Sequence, residues 1–176
     1  MLVKKSMDDL GRLSADEAQR VRRTPVRLIL DNVRSMHNVG SVFRTADAFL
    51  AESIELCGYT PRPPHRDIHK TALGATETVP WISWDSAADA VKSLIADGYR
   101  VLAVEQTTGS VPLNRLSVDP DEKIALVFGN EVEGVSTDVI ALCAGSIEIP
   151  QLGMKHSLNV SVSAAMVLWE ICRGRF

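Results

Sequence analysis

The sequence predicts an α/β protein built on a parallel sheet, with helices on both faces of that sheet. Short, nearly continuous apolar runs, typical of strands covered on both sides, alternate along the chain with stretches of helical spacing. This alternation is the pattern of a parallel sheet. With 176 residues, 45% of them hydrophobic, the chain has the length of one domain and can bury a core of its own.

The first half of the chain predicts two strands and two helices. Ser14, followed three residues later by Glu17, matches a capping box and predicts a short N-terminal helix that ends before Pro25. The elements predicted after it are a strand over 26–31, a helix over 38–50, a strand over 53–58 and a Pro- and His-rich loop over 59–70.

The second half continues the alternation, with Gly98 ending a helix and a looser stretch around Gly109, Pro112 and Pro120. No internal repeat or linker interrupts it. We therefore predict one domain over 26–176 after an N-terminal helical extension over 1–25. Its predicted elements are the strands 79–84, 99–105, 123–131 and 146–150, the helices 86–98 and 137–144, and a final helix from about 160.

Composition argues against several classes of protein. No apolar run approaches the roughly 18–20 residues that span a bilayer, and acidic residues near the N-terminus argue against a signal peptide. Cys57, Cys143 and Cys172 lie far apart without a CxxC pair, which indicates buried thiols in a reducing cytoplasm. His65 and His69 form an HxxxH pair with no neighbouring Glu and no evident third ligand, so no metal site is predicted.

Charge is distributed unevenly along the chain. The net charge is −3, but residues 1–70 hold 12 Lys and Arg against 9 Asp and Glu, whereas residues 71–176 hold 7 against 13. The basic residues concentrate in RVRRTPVR, 20–27, and PRPPHRDIHK, 61–70. A solvated surface explains each of them singly, and their grouping indicates a basic face.

Three polar segments follow or precede predicted strands, and core packing does not require them. They are LDNVRSMHNVGSVFRTAD, LVFGNEVEGVS and IPQLGMKHSLNVSVSAA. Ligands of open parallel sheets gather beyond the carboxyl ends of the strands, and each segment contains a glycine where backbone can approach a ligand closely. None matches GxGxxG or GxxxxGK[ST], so dinucleotide and P-loop interpretations lack their main support.

Taken together, the three segments resemble the SpoU/TrmH family of RNA 2′-O-ribose methyltransferases, within the SPOUT superfamily. The first has the family's Asn and, six residues later, its Arg; the second has the form FGxExxG; the third has the form IPxxGxxxSLNVSVAxA. The resemblance covers roughly residues 26–173. The matching residues are Asn38 and Arg44, then Gly129, Glu131 and Gly134, then Ser157, Leu158 and Asn159.

The resemblance implies an S-adenosylmethionine-dependent enzyme that works as a homodimer on tRNA or rRNA and has a deep trefoil knot at its C-terminal end. Cofactor binding would rest on backbone groups and apolar walls of the three loops. Gly129, Ile149 and Leu158 are the residues expected there, with Met154 and Gln106 as neighbours.

The resemblance also implies the catalytic residues. Arg44 matches the catalytic arginine, and because a free guanidinium has a pKa above about 12, its expected role is to hold a phosphate and stabilise a developing alkoxide. Glu131 would orient Asn38 or Arg44. Ser157 and Asn159 fit both a catalytic role and simple capping of the last helix.

The basic face is the expected RNA-contacting surface. The candidate RNA contacts are Arg62, Arg66, Lys70, Arg22 and Arg23.

Two alternative functions stay open: a catalytically silent RNA-binding protein with the same fold, and a methyltransferase acting on a base or a small molecule.

Overall fold

A computed structural model describes residues 2–6, 9, 11, 13 and 15–175. Within these residues seven strands form one sheet in the order β3-β2-β1-β6-β4-β7-β5, and every neighbouring pair is parallel. The strands are β1 (Thr24–Asp31), β2 (Ala51–Cys57), β3 (Trp81–Trp84), β4 (Arg100–Val104), β5 (Val111–Pro112), β6 (Ile124–Phe128) and β7 (Gly145–Glu148). The predicted parallel α/β class is confirmed.

Helices connect the strands. They are α1 (Ala15–Arg20), α2 (Met36–Ala48), α3 (Arg66–Ala72), α4 (Ala75–Thr78), α5 (Ala87–Ala96), α6 (Thr137–Leu142) and α7 (Val160–Cys172), with 3₁₀ turns at Leu113–Arg115 and Arg173–Arg175. The predicted N-terminal helix is therefore present as α1. Its proposed cap, Ser14, lies outside the described residues.

Two hydrophobic cores cover the two faces of the sheet. Alternate residues of β1 point to opposite faces, because side chains along a strand alternate. Leu28 and Leu30 belong to the larger core, which includes residues of α2, α3 and α7. Ile29 belongs to the second core, which includes residues of α5 and α6. The prediction of helices on both faces is confirmed.

Helix α2 follows β1, an interior strand of the sheet, and packs against α3, α4 and α7. Ser35 caps it by accepting a hydrogen bond from Asn38 N, at 3.3 Å. A Cβ at Gly40 would overlap Thr71 Oγ1 and Ile68 O, so glycine lets α3 lie directly against the first turns of α2. α2 also contacts α7, which brings together the first and last motif segments.

Two stretches differ from the sequence prediction. The loop expected over 59–70 ends early, since α3 begins at Arg66, where the side chain of His65 accepts a hydrogen bond from Asp67 N and Ile68 is buried in the core. The stretch expected to be irregular around Pro112 contains β5, which pairs with β7 at one edge of the sheet. Proline is tolerated there because an edge strand leaves one side unpaired.

The described residues contain no helix that is long and apolar enough to cross a membrane. Cys57, Cys143 and Cys172 form no disulfide with one another. Burial, together with the charges of Asp31 and Glu55, raises the pKa of Cys57, and burial raises the pKa of Cys143 to about 11. Both thiols therefore stay protonated near neutral pH.

Candidate active site

The three motif segments meet at the carboxyl edge of the sheet. β1 and β6 are hydrogen-bonded parallel neighbours, so the loops that follow them lie side by side. The segment before α7 joins them because α7 packs on α2. Asn38 and Glu131, 93 residues apart in sequence, are thereby brought into direct contact.

Glu131 is the centre of a hydrogen-bond network with Asn38 and Asn159, called here the Glu131 network. Its carboxylate accepts hydrogen bonds from Arg34 N at 2.9 Å and Ser35 N at 3.0 Å, which lie just before the first turn of α2. It also accepts one from Asn38 Nδ2 at 2.8 Å. A carboxylate at this end of a helix also interacts favourably with the helix dipole. Glu131 thus ties the loop after β6 to the start of α2.

The surroundings of Glu131 lower its pKa. Partial burial alone would raise the pKa, because it disfavours the charged form. The hydrogen bonds from Arg34 N, Asn38 and Ser35 N favour the charged form and together outweigh burial. Glu131 is therefore an anion at neutral pH, and it serves as an acceptor rather than as a proton donor.

Asn159 combines a capping role with a place in the network. Its Oδ1 accepts from Ser161 N at 2.9 Å and from Ser161 Oγ at 2.7 Å, which caps α7. Its Nδ2 donates to Asn38 Oδ1 at 3.0 Å. One side chain therefore uses both ends of its amide, and capping does not compete with a role in the site. Ser157, by contrast, is exposed and forms no hydrogen bond with the described residues.

The loop after β6 is shaped by Asn130, which the sequence analysis did not single out, and by the motif residues Gly129 and Gly134. Asn130 is buried, and its Oδ1 accepts from Val132 N and Glu133 N at 2.8 and 3.1 Å. Its backbone pairs with Gly134, whose φ of +70° suits glycine. A Cβ at Gly129 would overlap the backbone of Gly134, so the tight loop needs glycine there.

The end of β4 holds this loop from the other side. Glu105 Oε2 accepts from Val135 N at 3.0 Å. Gln106 Nε2 donates to the carbonyl of His156 at 3.1 Å and so reaches the segment before α7. The sequence analysis did not identify Glu105 either. A carboxylate that directly follows an apolar strand could have indicated a site at the strand end.

A cavity of about 590 Å³ opens between these loops. This volume lies within the range of small-molecule sites. Of the residues predicted for the cofactor, Met154 does not line the cavity and is 85% exposed. The predicted residues that do line it are Gln106, Gly129, Glu131, Ile149, Ser157, Leu158 and Asn159, joined by Phe128, Ile140 and Ile147 and by the carboxylates of Glu105, Glu133 and Glu148.

Arg44 lies outside this cavity. It is exposed on α2, six residues after Asn38 and so about 9 Å further along the helix axis. Its guanidinium forms no hydrogen bond or ion pair with the described part of the chain. The fold therefore brings Asn38, Glu131 and Asn159 together but leaves Arg44 facing outward.

The candidate RNA contacts have different surroundings. Arg23 donates to the carbonyls of Ala18, Ala51 and Thr78, so its guanidinium stabilises the fold. The remaining four are exposed. Arg22 pairs with Asp121 at 3.2 Å, Lys70 pairs with Asp67 at 3.1 Å, Arg62 donates to the carbonyl of Gly58 at 3.4 Å, and Arg66 has no partner among the described residues.

No group of three or more His, Cys, Asp and Glu side chains in the described residues is arranged to hold a metal ion. The site instead consists of backbone groups, apolar walls and a carboxylate–amide network. With the parallel sheet, this defines an α/β protein with a small-molecule cavity at its strand ends. Comparison with known proteins identifies the family: the SpoU rRNA Methylase family matches residues 25–169, and the chain belongs to that family.

Two relatives illustrate the match. A Staphylococcus aureus protein assigned to the TrmH family of tRNA/rRNA methyltransferases is 32% identical over 148 residues, which are 84% of this chain and 58% of that protein. The 23S rRNA (guanosine-2'-O-)-methyltransferase RlmB of Neisseria meningitidis is 33% identical over 160 residues, 91% of this chain and 63% of that enzyme. The chain thus spans less than two thirds of these relatives.

The fold also matches solved structures. The crystal structure of an AdoMet-bound rRNA methyltransferase from Sinorhizobium meliloti superposes with a TM-score of 0.81 at 26% sequence identity. The match covers 90% of this chain and 60% of that one. The resemblance that the three motifs indicated is therefore confirmed at the level of both sequence and fold.

Proposed function

We propose that this chain transfers a methyl group from S-adenosylmethionine to a ribose 2′-hydroxyl of tRNA or rRNA. The observation that carries the proposal is the Glu131 network at the edge of the strand-end cavity. The family membership and the activities named for the two relatives and the AdoMet-bound neighbour support it. Because the chain spans only part of the relatives, the activity needs its own test.

The cavity fits the cofactor. Its volume of about 590 Å³ accommodates a nucleoside with an amino-acid tail, and Ile149 and Leu158 offer apolar walls for an aromatic base. Carboxylates at the rim, Glu105, Glu133 and Glu148, complement a cationic ligand. When bound, S-adenosylmethionine supplies an electrophilic methyl group on a positively charged sulfur. Met154 is left out of this binding site because of its exposure.

Each of the proposed catalytic residues has a different role. Glu131 holds Asn38 in place, and Asn38 in turn positions Asn159 at the start of α7. Ser157 borders the cavity with a free hydroxyl that hydrogen-bonds the substrate. Arg44 holds the phosphate next to the target ribose and stabilises the charge that develops on the 2′-oxygen.

The proposed enzyme is a homodimer. α7 exposes Val162, Met166 and Trp169 at helical spacing, with exposures of 47%, 41% and 56%. Such an apolar stripe is typical of an interaction surface, and a second copy of the chain covers it. α2, the helix that carries Arg44, packs against α7. Arg44 acts at the cavity of the second subunit, which explains why Arg44 lies outside the cavity of its own chain.

RNA approaches over the exposed residues Arg62, Arg66 and Lys70, which follow β2. Arg22 is also exposed, but it precedes β1 and pairs with Asp121 at the amino edge of the sheet, away from these three residues. Arg66 lies at the rim of a second cavity of about 550 Å³, which is also lined by His65, His69 and Trp81. These cations bind phosphates, so affinity for RNA falls with salt as counterions are released. The trefoil knot remains a prediction from the family resemblance, and the domain division at 25/26 and a cytoplasmic location remain predictions from the sequence.

Two measurements test the proposal. Calorimetry with S-adenosylmethionine is expected to show binding, and its absence at high micromolar ligand would leave a catalytically silent RNA-binding protein. Incubation of the chain with labelled cofactor and with tRNA or rRNA, followed by nuclease digestion and mass spectrometry, locates the methyl group. A methyl group on a base, or on no RNA at all, contradicts the proposed reaction.

A further inference from the structure

We infer that Tyr59 forms a binding subsite for an unpaired nucleobase next to the methylated nucleotide, an inference that rests on the proposed function. Tyr59 lies in the turn after β2 and is 58% exposed. A single exposed aromatic residue is ordinary on a protein surface. What distinguishes Tyr59 is how firmly it is held and what its hydroxyl contacts.

The turn that carries Tyr59 is joined to the loop after β1. Tyr59 N donates to Asn32 Oδ1 at 3.2 Å. The neighbouring Thr60 is buried, and its hydroxyl donates to the carbonyl of Leu30 at 3.0 Å and accepts from Val33 N at 3.1 Å. These bonds fix the backbone on both sides of the aromatic ring, so an incoming base meets an ordered surface.

The ring is fixed at its other end by the candidate active site. Its hydroxyl accepts a hydrogen bond from Asn130 Nδ2 at 3.1 Å. Asn130 lines the strand-end cavity and directly precedes Glu131. The hydroxyl of Tyr59 is therefore within hydrogen-bond distance of a cavity residue, while most of the ring is open to solvent.

The charges around Tyr59 suit a nucleotide. Arg62 donates to the carbonyl of Gly58, the residue before Tyr59, and so places a cation at the backbone of the turn that carries the ring. Arg34 is exposed in the loop that Glu131 holds. An exposed aromatic face with a cation nearby is a usual way to bind a base and its phosphate in a single-stranded RNA loop. The subsite therefore takes a base of any identity that flanks the target ribose.

The test measures binding of a fluorescently labelled single-stranded RNA, ten adenosines long, by anisotropy. Base stacking on an aromatic side chain is worth about 1–3 kcal/mol, so Tyr59→Ala is expected to weaken binding by about 5- to 150-fold. Tyr59→Leu keeps apolar volume but no aromatic face, and it is expected to weaken binding similarly. Tyr59→Phe keeps the face and stays close to the wild type. Ile95→Ala, at an exposed apolar residue of α5, is the matched control.

Affinity for S-adenosylmethionine, measured on the same variants, separates a subsite from a structural role. Unchanged cofactor affinity in Tyr59→Ala supports the subsite. Equal losses in Tyr59→Phe and Tyr59→Ala, or a parallel loss of cofactor affinity, would assign Tyr59 to holding the Asn130 loop and overturn the inference. Wild-type RNA binding that is absent or unaffected by Tyr59→Ala overturns it too. Failure of the wild type to bind cofactor contradicts only the proposed function.

Discussion

Glu131 and Glu55 are two carboxylates that are each held by three neighbouring residues, yet their surroundings are opposite. Glu131 is exposed at the edge of the strand-end cavity and binds the start of α2. Glu55 is fully buried in β2. It accepts from Ser53 Oγ at 2.6 Å, Trp84 Nε1 at 2.7 Å and Arg27 Nη1 at 3.5 Å. These four residues are called here the Glu55 network.

The difference shows that the number of hydrogen bonds does not mark a functional carboxylate. A buried charge must be fully partnered, since an unpaired one costs several kcal/mol. Glu55 uses its lone pairs on the protein and has no route to a ligand. Glu131 holds two loops at the mouth of a cavity, so its bonds decide the shape of a site. We expect substitutions in the Glu55 network to change stability and those around Glu131 to change activity.

The largest expected effect is on stability. Glu55→Ala leaves Trp84 Nε1 and Ser53 Oγ without their acceptor, so the free energy of unfolding is expected to fall by about 3–5 kcal/mol. Urea unfolding followed by fluorescence measures this. Glu55→Gln keeps an acceptor for Trp84 and is expected to lose less. Methyl transfer per folded molecule is expected to stay unchanged in both variants. If Glu55→Ala were as stable as the wild type but less active, the Glu55 network would affect activity and not stability, which contradicts the expectation.

Arg44→Ala is expected to lower kcat by about 10²- to 10³-fold, because a positioned cation no longer stabilises the developing charge. Cofactor affinity by calorimetry and the unfolding free energy should stay near the wild type. Lys92→Ala, on α5, makes the same change of charge on the other face of the sheet and is the control. Full activity of Arg44→Ala contradicts its proposed role.

Mixing variants tests where Arg44 acts. In dimers that combine Arg44→Ala with Glu131→Ala, one of the two sites has an intact cavity from one subunit and Arg44 from the other. If Arg44 serves the second subunit, the mixture regains activity that neither variant has alone. No regain in a mixture that forms mixed dimers would place Arg44 in the site of its own chain.

Glu131→Gln is expected to have a moderate effect. Its amide group would face N–H donors where the carboxylate accepts, so the loop after β6 is held less firmly, at about 1 kcal/mol per hydrogen bond. Activity is expected to fall about tenfold, with a smaller loss of cofactor affinity. Asp138→Asn, at an exposed carboxylate of α6, is the control. If Glu131→Gln lost more stability than Glu55→Gln, the expectation that the Glu131 network affects activity and the Glu55 network affects stability would be wrong.

The smallest expected effect is on the dependence of stability on pH. The folded protein lowers the pKa of Glu131 below its ordinary value. A carboxylate of this kind contributes stability that is present above its unfolded pKa, about 4.3, and is lost as the pH falls through the folded pKa. Stability should therefore be level down to about pH 5 and then decline. Tm measured from pH 7 to 3 should decline less steeply in Glu131→Gln; identical curves would contradict this account.

The sequence was informative where local pattern and tertiary structure agree. The apolar runs of β1 and β6 predicted buried central strands because both faces of those strands are covered. The spacing of Val39, Val42 and Phe43 predicted α2 for the same reason. The start of α3 was missed because the cap is a histidine, a residue without a strong capping preference.

The candidate site was predictable only in part. Three motifs identified Asn38, Glu131 and Asn159, which the fold brings into one network. They did not identify Asn130 or Glu105, whose roles come from backbone groups brought close by loops. Nor did they indicate that Arg44 would lie outside the cavity, since a motif gives spacing along a helix but not what that helix faces.

The sequence by itself determined the parallel α/β class, the family and the three loops that form the site, because strand burial and loop chemistry are local properties of the chain. Only the tertiary structure decided which of those residues meet. Asn38 and Glu131 join because β1 and β6 are neighbours in the sheet. The sheet order likewise placed Glu55 in a sealed core and Glu131 at an open edge. Burial and neighbours are set by packing across the whole chain, and they decide whether a carboxylate is sealed in the core or exposed at a cavity.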